Sequence, residues 1–228
     1  VIDSDQISRL PVKGVTNIVS LQSGVVVQDG SGGVEGNATI NVRGGRGTEV
    51  LYIVDGVPQN NVFTGANRSQ VSDNSIEQVS FQVGGYEAKY GQAQSGIVNI
   101  TTKSGSPVYN LFADVVTSQY LDDFGYNLYT FNLSGPIIPG DQNNTIFLSA
   151  ERGWFLDADP TAIDRTFTYN LDPLETKTFT AKEHNDASNW RFSGKTSHSF
   201  GDFRLNLGAN YNIRNYRSYV HTYAKNNT

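Results

Sequence analysis

Residues 203–214 read FRLNLGANYNIR, and their polarity alternates without a break. Phe203, Leu205, Leu207, Ala209, Tyr211 and Ile213 fall on one side of an extended chain. Arg204, Asn206, Gly208, Asn210, Asn212 and Arg214 fall on the other. Side chains of a strand repeat every second residue, so the pattern predicts one long strand with an apolar and a polar face. Its length exceeds the ~5–6 residues usual for globular strands. The preceding segment behaves alike, with Trp190, Phe192, Gly194, Thr196, His198 and Phe200 opposite Arg191, Ser193, Lys195 and Ser197. Gly201-Asp202 between the two fits a two-residue hairpin turn. Weaker alternation in YNLFADVVTS, NLYTFNLSG and NTIFLSAERG brings the count between Tyr109 and Arg214 to five strands.

The connections predicted between these strands are 119–126, 136–143, 154–187 and 201–202. Taken alternately, one side carries eight and thirty-four residues and the other eight and two. Short turns on one side and long loops on the other are the habit of outer-membrane barrels. A soluble β-sandwich with one long loop is the alternative that strand length leaves open.

From Val1 to Gly105 the pattern differs. Ser4 or Asp5 is placed to cap a short helix ending before Pro11. A second helix, Val15 to Gln22, sets Val15, Ile18, Val19 and Leu21 mostly on one side and stops near Gly24. Short strands are predicted at Val25–Gln28, Thr39–Arg43, Val50–Val54, Glu77–Val83 and Ile97–Thr102, each bounded by Gly, Asn or Asp. This is a small, loop-rich α/β unit. Its last part, SIEQVSFQVGGYEAKYGQAQSGIVNITTKSG, runs directly into the long strands.

Composition narrows the function. The 228 residues suffice for one large or two small domains. Seventeen Lys+Arg against twenty-two Asp+Glu give a net charge of −5 with no basic stripe, which argues against nucleic acid as a partner. Hydrophobic residues make up 37 %, with a mean hydropathy of −0.39, so no helical membrane span is expected. Barrel strands remain compatible, since only alternate residues face lipid. With no cysteine, disulfides, thiolate metal sites and cysteine nucleophiles are excluded. Twelve Tyr and twelve Phe against two Trp are a β-type aromatic load. VIDSDQISRL has neither the basic start nor the apolar run of a signal peptide, so an exported protein would begin upstream of Val1.

No motif carries chemistry. VRGGRGTEV lacks the Gly-Lys-Ser/Thr ending of a phosphate loop. His184, His198 and His221 have no metal-ligand spacing. Asp157, Asp159 and Asp164 in the long loop are of a type that binds Ca²⁺, but solvated loop acids are the commoner case. Asp122-Asp123 reads as a loop tip. No Ser sits in a GxSxG elbow. No catalytic residue, metal or cofactor is therefore expected.

The ordered run NVRGG, VLYIVDGVPQNN and SIEQVSFQVGGYEAKYGQAQSGIVNITTKSG resembles the plug domain of TonB-dependent outer-membrane receptors. The residues that carry the resemblance are Arg43-Gly44, Asp55-Gly56-Val57-Pro58, Ile76-Glu77, Gly84, Tyr90-Gly91, Ser95-Gly96 and Asn99–Lys103. Leu10-Pro11 and Ser23-Gly24-Val25 are similar to the family's opening motifs. LSGPIIPGDQNNTIFLSAER is similar to the barrel opening of the Oar-like branch, often found in Bacteroidota. Siderophore receptors commonly carry an Arg before the glycine aligned with Gly84; this chain has Val83, which weakens a siderophore role and leaves Arg43 as the plug arginine.

The resemblance implies an α+β plug over residues 1–105. It is followed over 106–228 by the first antiparallel strands of a transmembrane β-barrel of about 22 strands, whose wide lumen needs a plug. Five strands alone leave an open edge and cannot close such a barrel. The resemblance also implies transport of an extracellular ligand through the outer membrane, driven by the TonB–ExbB–ExbD complex acting through a segment upstream. It assigns Arg43 to plug–barrel ion pairing and Asp55 and Pro58 to a plug loop. Gly84, Tyr90, Gly91 and Gly96 are assigned to packing. Leu205, Leu207 and Tyr211 are then expected to face lipid. The rival roles are a barrel scaffold with a surface lipoprotein or other assembly partner, and a soluble secreted β-rich binding protein.

Overall fold

The first helix is fixed by an aspartate one residue ahead of the expected caps. Strand β1 (Ile2–Asp3) leads into α1 (Ser4–Arg9). Asp3 accepts the N–H of Gln6 at 2.8 Å, and the Gln6 side chain accepts that of Asp3 at 3.3 Å. Reciprocal bonds of this kind satisfy two amides that the helix cannot pair, so Asp3 takes the cap from Ser4 and Asp5. Helix α2 (Val15–Ser20) buries Val15, Ile18 and Val19 as its spacing predicts. It closes at Ser20, before the predicted Gln22. Leu21 is then the capping residue and its side chain is 54 % exposed, contrary to expectation.

The chain is described by a computed structural model over residues 1–28, 39–67, 71–87, 90–91, 93–122, 124–157, 165–168, 176–179, 182 and 184–219, with backbone alone at 165–168 and 176–179. In the first region β2 (Val25–Gln28) pairs antiparallel with β3 (Thr39–Val42). β3 stops one residue early because Arg43 and Gly44 turn left-handed, with φ of +48° and +82°. The main sheet adds β4 (Val50–Val54), β5 (Val57–Pro58), β6 (Ile76–Gln82) and β7 (Gly96–Thr102), in the order β1-β6-β7-β4-β5. β4 and β7 are parallel and the other pairs antiparallel. All five residues of β4 are buried because both its faces are covered. One face meets the main core, with Ile18, Val19, Ile40 and Ile100. The other meets Ala93, Ile97 and the half-buried rings of Tyr86 and Tyr90.

Residues 103–109 lead to the second region. Gly105 passes so close to the later strands that an added Cβ would lie 2.6 Å from Thr145 and from the backbone N of Ile146. There β8 (Asn110–Thr117), β9 (Asn127–Pro136), β10 (Asn144–Phe155), β13 (Ala187–Phe200) and β14 (Phe203–Tyr216) form one antiparallel sheet. Its order is β14-β13-β10-β9-β8, so every strand pairs with its neighbour in sequence and β8 and β14 form the edges. The five predicted strands are the five of this sheet, and the hairpin at Gly201-Asp202 falls as expected. One pairing was not anticipated: within the 154–187 connection, β11 (Arg165–Thr168) and β12 (Thr176–Phe179) make a short hairpin. Four residues of mixed Thr, Phe and charge are too few to show a period.

Candidate functional site at the plug–wall interface

The register of the five-stranded sheet decides what meets the first region. Thr130, Glu151, Arg191 and Asn212 lie abreast on β9, β10, β13 and β14, as do Asn132, Ser149, Ser193 and Asn210. These polar rows face the first region, and Thr130, Asn132, Ser149, Glu151 and Arg191 are buried there. The opposite face carries Phe131, Leu148, Phe192, Leu205, Leu207 and Tyr211, all exposed.

Among the described residues, side-chain hydrogen bonds join the regions at three places. The first is centred on Asp55. Asp55 and Gly56, with φ of +48° and +85°, make the left-handed hairpin turn between β4 and β5. The Asp55 carboxylate accepts the backbone N–H and the hydroxyl of Thr102 at 3.0 and 2.5 Å. So fixed, it meets the Lys195 ammonium of β13 at 3.3 Å, and Lys195 also donates to the Thr102 carbonyl at 3.3 Å. The second centres on Glu151, which pairs with Arg191 across β10 and β13. Its other oxygen accepts the hydroxyl of Ser72 at 2.5 Å. All three residues are nearly fully buried. In the third, the Asn132 side chain donates to the Asn74 carbonyl at 3.3 Å. Beside the Asp55 contact lies a polar cavity of about 680 Å³, lined by Gln59, Tyr90, Asn99, Lys195, Asn206 and Asn210 among others.

The residues expected to hold the regions together are distributed unevenly. Asp55 makes the ion pair. Arg43 is exposed on the turn after β3 and forms no ion pair among the described residues; its N–H donates to the Gly24 carbonyl at 2.9 Å. Pro58 lies on edge strand β5 rather than in a loop, a place where its missing N–H does no harm. Gly84 has a φ of +85° and open space where a Cβ would stand, so backbone conformation and not packing calls for glycine. Gly96 does pack closely: a Cβ there would lie 3.3 Å from the Phe81 ring and the Gln82 carbonyl. Gly91 is exposed beside Tyr90, whose ring covers β4 and reaches the cavity. Ser72, Glu151, Arg191 and Lys195 were missed as site residues. Charges on the polar faces of two alternating segments were the signal for Glu151 and Lys195.

Asp157 was expected to be solvated. Instead it is fully buried at the base of the long connection, accepting from the backbone N–H of Lys182 at 2.6 Å and from the Asn185 side chain at 2.5 Å. His221, Asp123, Asp159 and Asp164 lie outside the described residues. Among the described residues no cluster of His, Asp or Glu is arranged to hold a metal.

The exposed face completes the picture. Tyr129, Trp154 and Trp190 gather near the end of the sheet that carries the long connection, and Phe200 and Phe203 stand at the other. From Trp190 to Phe200 the strand climbs about 33 Å. At a barrel tilt near 40° this is a height of about 25 Å, the thickness of the apolar band of an outer-membrane barrel.

A polar-inside, apolar-outside wall with a separately folded unit docked on its inner face is the build of a plugged outer-membrane β-barrel. Residues 1–98 match the family model of the TonB-dependent Receptor Plug Domain. The first region is thus a plug domain of the TonB-dependent receptor kind, followed by antiparallel strands of barrel type, and the chain is similar to receptors that are outer-membrane barrels with the plug in the lumen. It is 33 % identical over 70 residues to the TonB-dependent transporter Oar of Myxococcus xanthus, covering 31 % of this chain and 7 % of that protein. It is 30 % identical over 105 residues to the vitamin B12 transporter BtuB of Vibrio vulnificus, covering 46 % and 17 %. Its fold matches the siderophore receptor PirA from Acinetobacter baumannii with a TM-score of 0.67 and 21 % identity, over 95 % of this chain and 32 % of that one. The chain thus spans less than a fifth of these curated relatives and about a third of the solved receptor.

Proposed function

We propose that the protein is an active transporter that binds a ligand at the cell surface and admits it to the periplasm when the plug is moved. TonB, with ExbB and ExbD, supplies the force through a segment upstream of Val1. The observation that carries this reading is the character of the interface. Plug and wall meet through an ion pair and side-chain hydrogen bonds, while the plug keeps its apolar core to itself. Such contacts exchange for water at little net cost, because a typical hydrogen bond contributes only about 1 kcal/mol. An apolar seam of equal area would resist separation far more. We assign Arg43 to a carboxylate on barrel strands other than β8–β14.

A single cysteine at Asn74 in the full-length protein, probed in living cells with a small periplasmic thiol reagent, tests plug movement. Labelling is expected to rise in energised cells and to stay low when TonB is absent. Equal labelling in both overturns energised movement. Growth of deletion and TonB-deficient strains on siderophore-bound iron, vitamin B12, oligosaccharides and peptides then identifies the ligand as the source that both strains lose.

A further inference from the structure

Arg152 lies on the lipid side of β10, where a cation is costly unless it finds a partner. Its guanidinium is 4.8 Å from the ring centre of Trp154 and 5.0 Å from that of Trp190, and Tyr129 packs against Trp154. It is exposed and forms no ion pair among the described residues. Two indole faces hold it in place without neutralising it, leaving its N–H donors for an acceptor from outside.

The same end of the sheet adds a cavity of about 550 Å³ lined by Arg152, Trp154, Leu156, Lys182, His184 and Arg217. Among the described residues one carboxylate lines it too, Asp186, and Arg217 takes it up at 2.7 Å while facing His184 Nδ1 at 2.8 Å. Among the described lining residues the carboxylate is thus taken up by Arg217, and Arg152 is left without one. Long connections mark this end as extracellular, which puts the cluster at the depth of the outer-leaflet headgroups.

We propose that the cleft beside Arg152 binds the phosphate of an outer-leaflet lipid headgroup. The planar guanidinium meets two phosphate oxygens at once, and the tryptophans and Leu156 border the first methylenes of the acyl chains. A free anion would gain the same hydrogen bonds but none of the apolar contact.

Native mass spectrometry of the full-length protein in detergent tests this, with bisphosphorylated lipid A, phosphate-free lipid A and inorganic phosphate as probes. The wild-type protein is expected to retain the phosphorylated lipid about tenfold better than the phosphate-free one, the size of one charge-assisted hydrogen bond. Arg152→Gln is expected to remove most of that preference and Arg152→Lys to keep part of it, with heat-modifiable gel mobility confirming the barrel in each. Equal retention of both lipids by the wild-type protein overturns the proposal whatever the variants do. So does an undiminished preference in a folded Arg152→Gln barrel, or displacement of the lipid by equimolar inorganic phosphate.

Discussion

The plug and the wall are built from similar residues turned in opposite directions. In the plug, Ile18, Ile40, Tyr52 and Ile100 are buried, while the groups it turns to the wall include Asp55, Ser72 and the Asn74 carbonyl. In the wall, Glu151, Arg191, Asn132 and Ser149 are buried while Phe131, Leu205, Leu207 and Tyr211 are exposed. By the rule for water-soluble domains the wall is inside out. The contrast separates two properties that usually coincide. Burial in the wall means contact with polar groups of the plug, and exposure means contact with lipid. What each face of a strand carries reports the solvent it meets.

The most severe test of this contrast is to remove a buried wall charge. Glu151→Ala removes the carboxylate that Arg191 and Ser72 share. A loss of about 3–5 kcal/mol is expected, the usual penalty for breaking a buried ion pair from one side. Denaturant titration of the full-length protein in detergent measures it, with Ser72→Ala as the milder control at about 1 kcal/mol. If Glu151→Ala costs no more than the serine change, the buried pair does not anchor the plug.

Next in size is the lipid face. Leu207→Arg is expected to cost about 2–4 kcal/mol near the membrane midplane. Asn206→Arg, one residue away but facing the polar cavity, is expected to cost under about 1 kcal/mol, because lumen positions accept charge. Folding into lipid vesicles compares the two. Equal costs would mean that the two faces of β14 do not meet different solvents.

Much of this contrast was legible in the chain itself. The period-two alternation of residues 190–214 fixed both the strands and their faces, because one residue of slippage would reverse every side chain. The plug strands were readable from their glycine, asparagine and aspartate borders. Two kinds of feature were not. Local geometry decided between neighbouring polar residues, as when Asp3 rather than Ser4 or Asp5 took the cap of α1. Partners distant in sequence were invisible as pairs: Ser72 and Glu151 are 79 positions apart, and Asp55 and Lys195 are 140. The Asp55–Lys195 pair follows from which wall strand stands beside the β4–β5 turn, and no local motif announces that.

That pair gives a smaller effect. The side chains of Lys195 and Asp55 are 13 % and 26 % exposed, so water screens part of their attraction. Lys195→Ala is expected to cost about 1 kcal/mol or less. Its signature is local: hydrogen exchange quickens at the Asp55–Gly56 turn and leaves the core of β4 unchanged. Faster exchange throughout β4 would mean that the wall supports the plug's core as well as its position.

The smallest effect expected lies in the 137–143 turn between β9 and β10, on the side opposite the long connections. The Asp141 carboxylate is held below the usual carboxylate range, first by the side-chain amide of Asn144 at 2.6 Å and then by the backbone N–H of Asn143 at 2.8 Å. Because the folded pKa lies below the unfolded one, the turn gains from these bonds at every pH above the ordinary carboxylate range. It loses them as pH falls through the lowered folded value. The protection factor of the Asn143 amide is therefore expected to drop on acidification below about pH 4, where a free aspartate titrates. In Asp141→Ala it should be low and flat across the same range. The turn is largely exposed, so the ladder between β9 and β10 is expected to hold throughout, and loss of protection along β10 in step with Asn143 would show that the turn and the wall open as one unit.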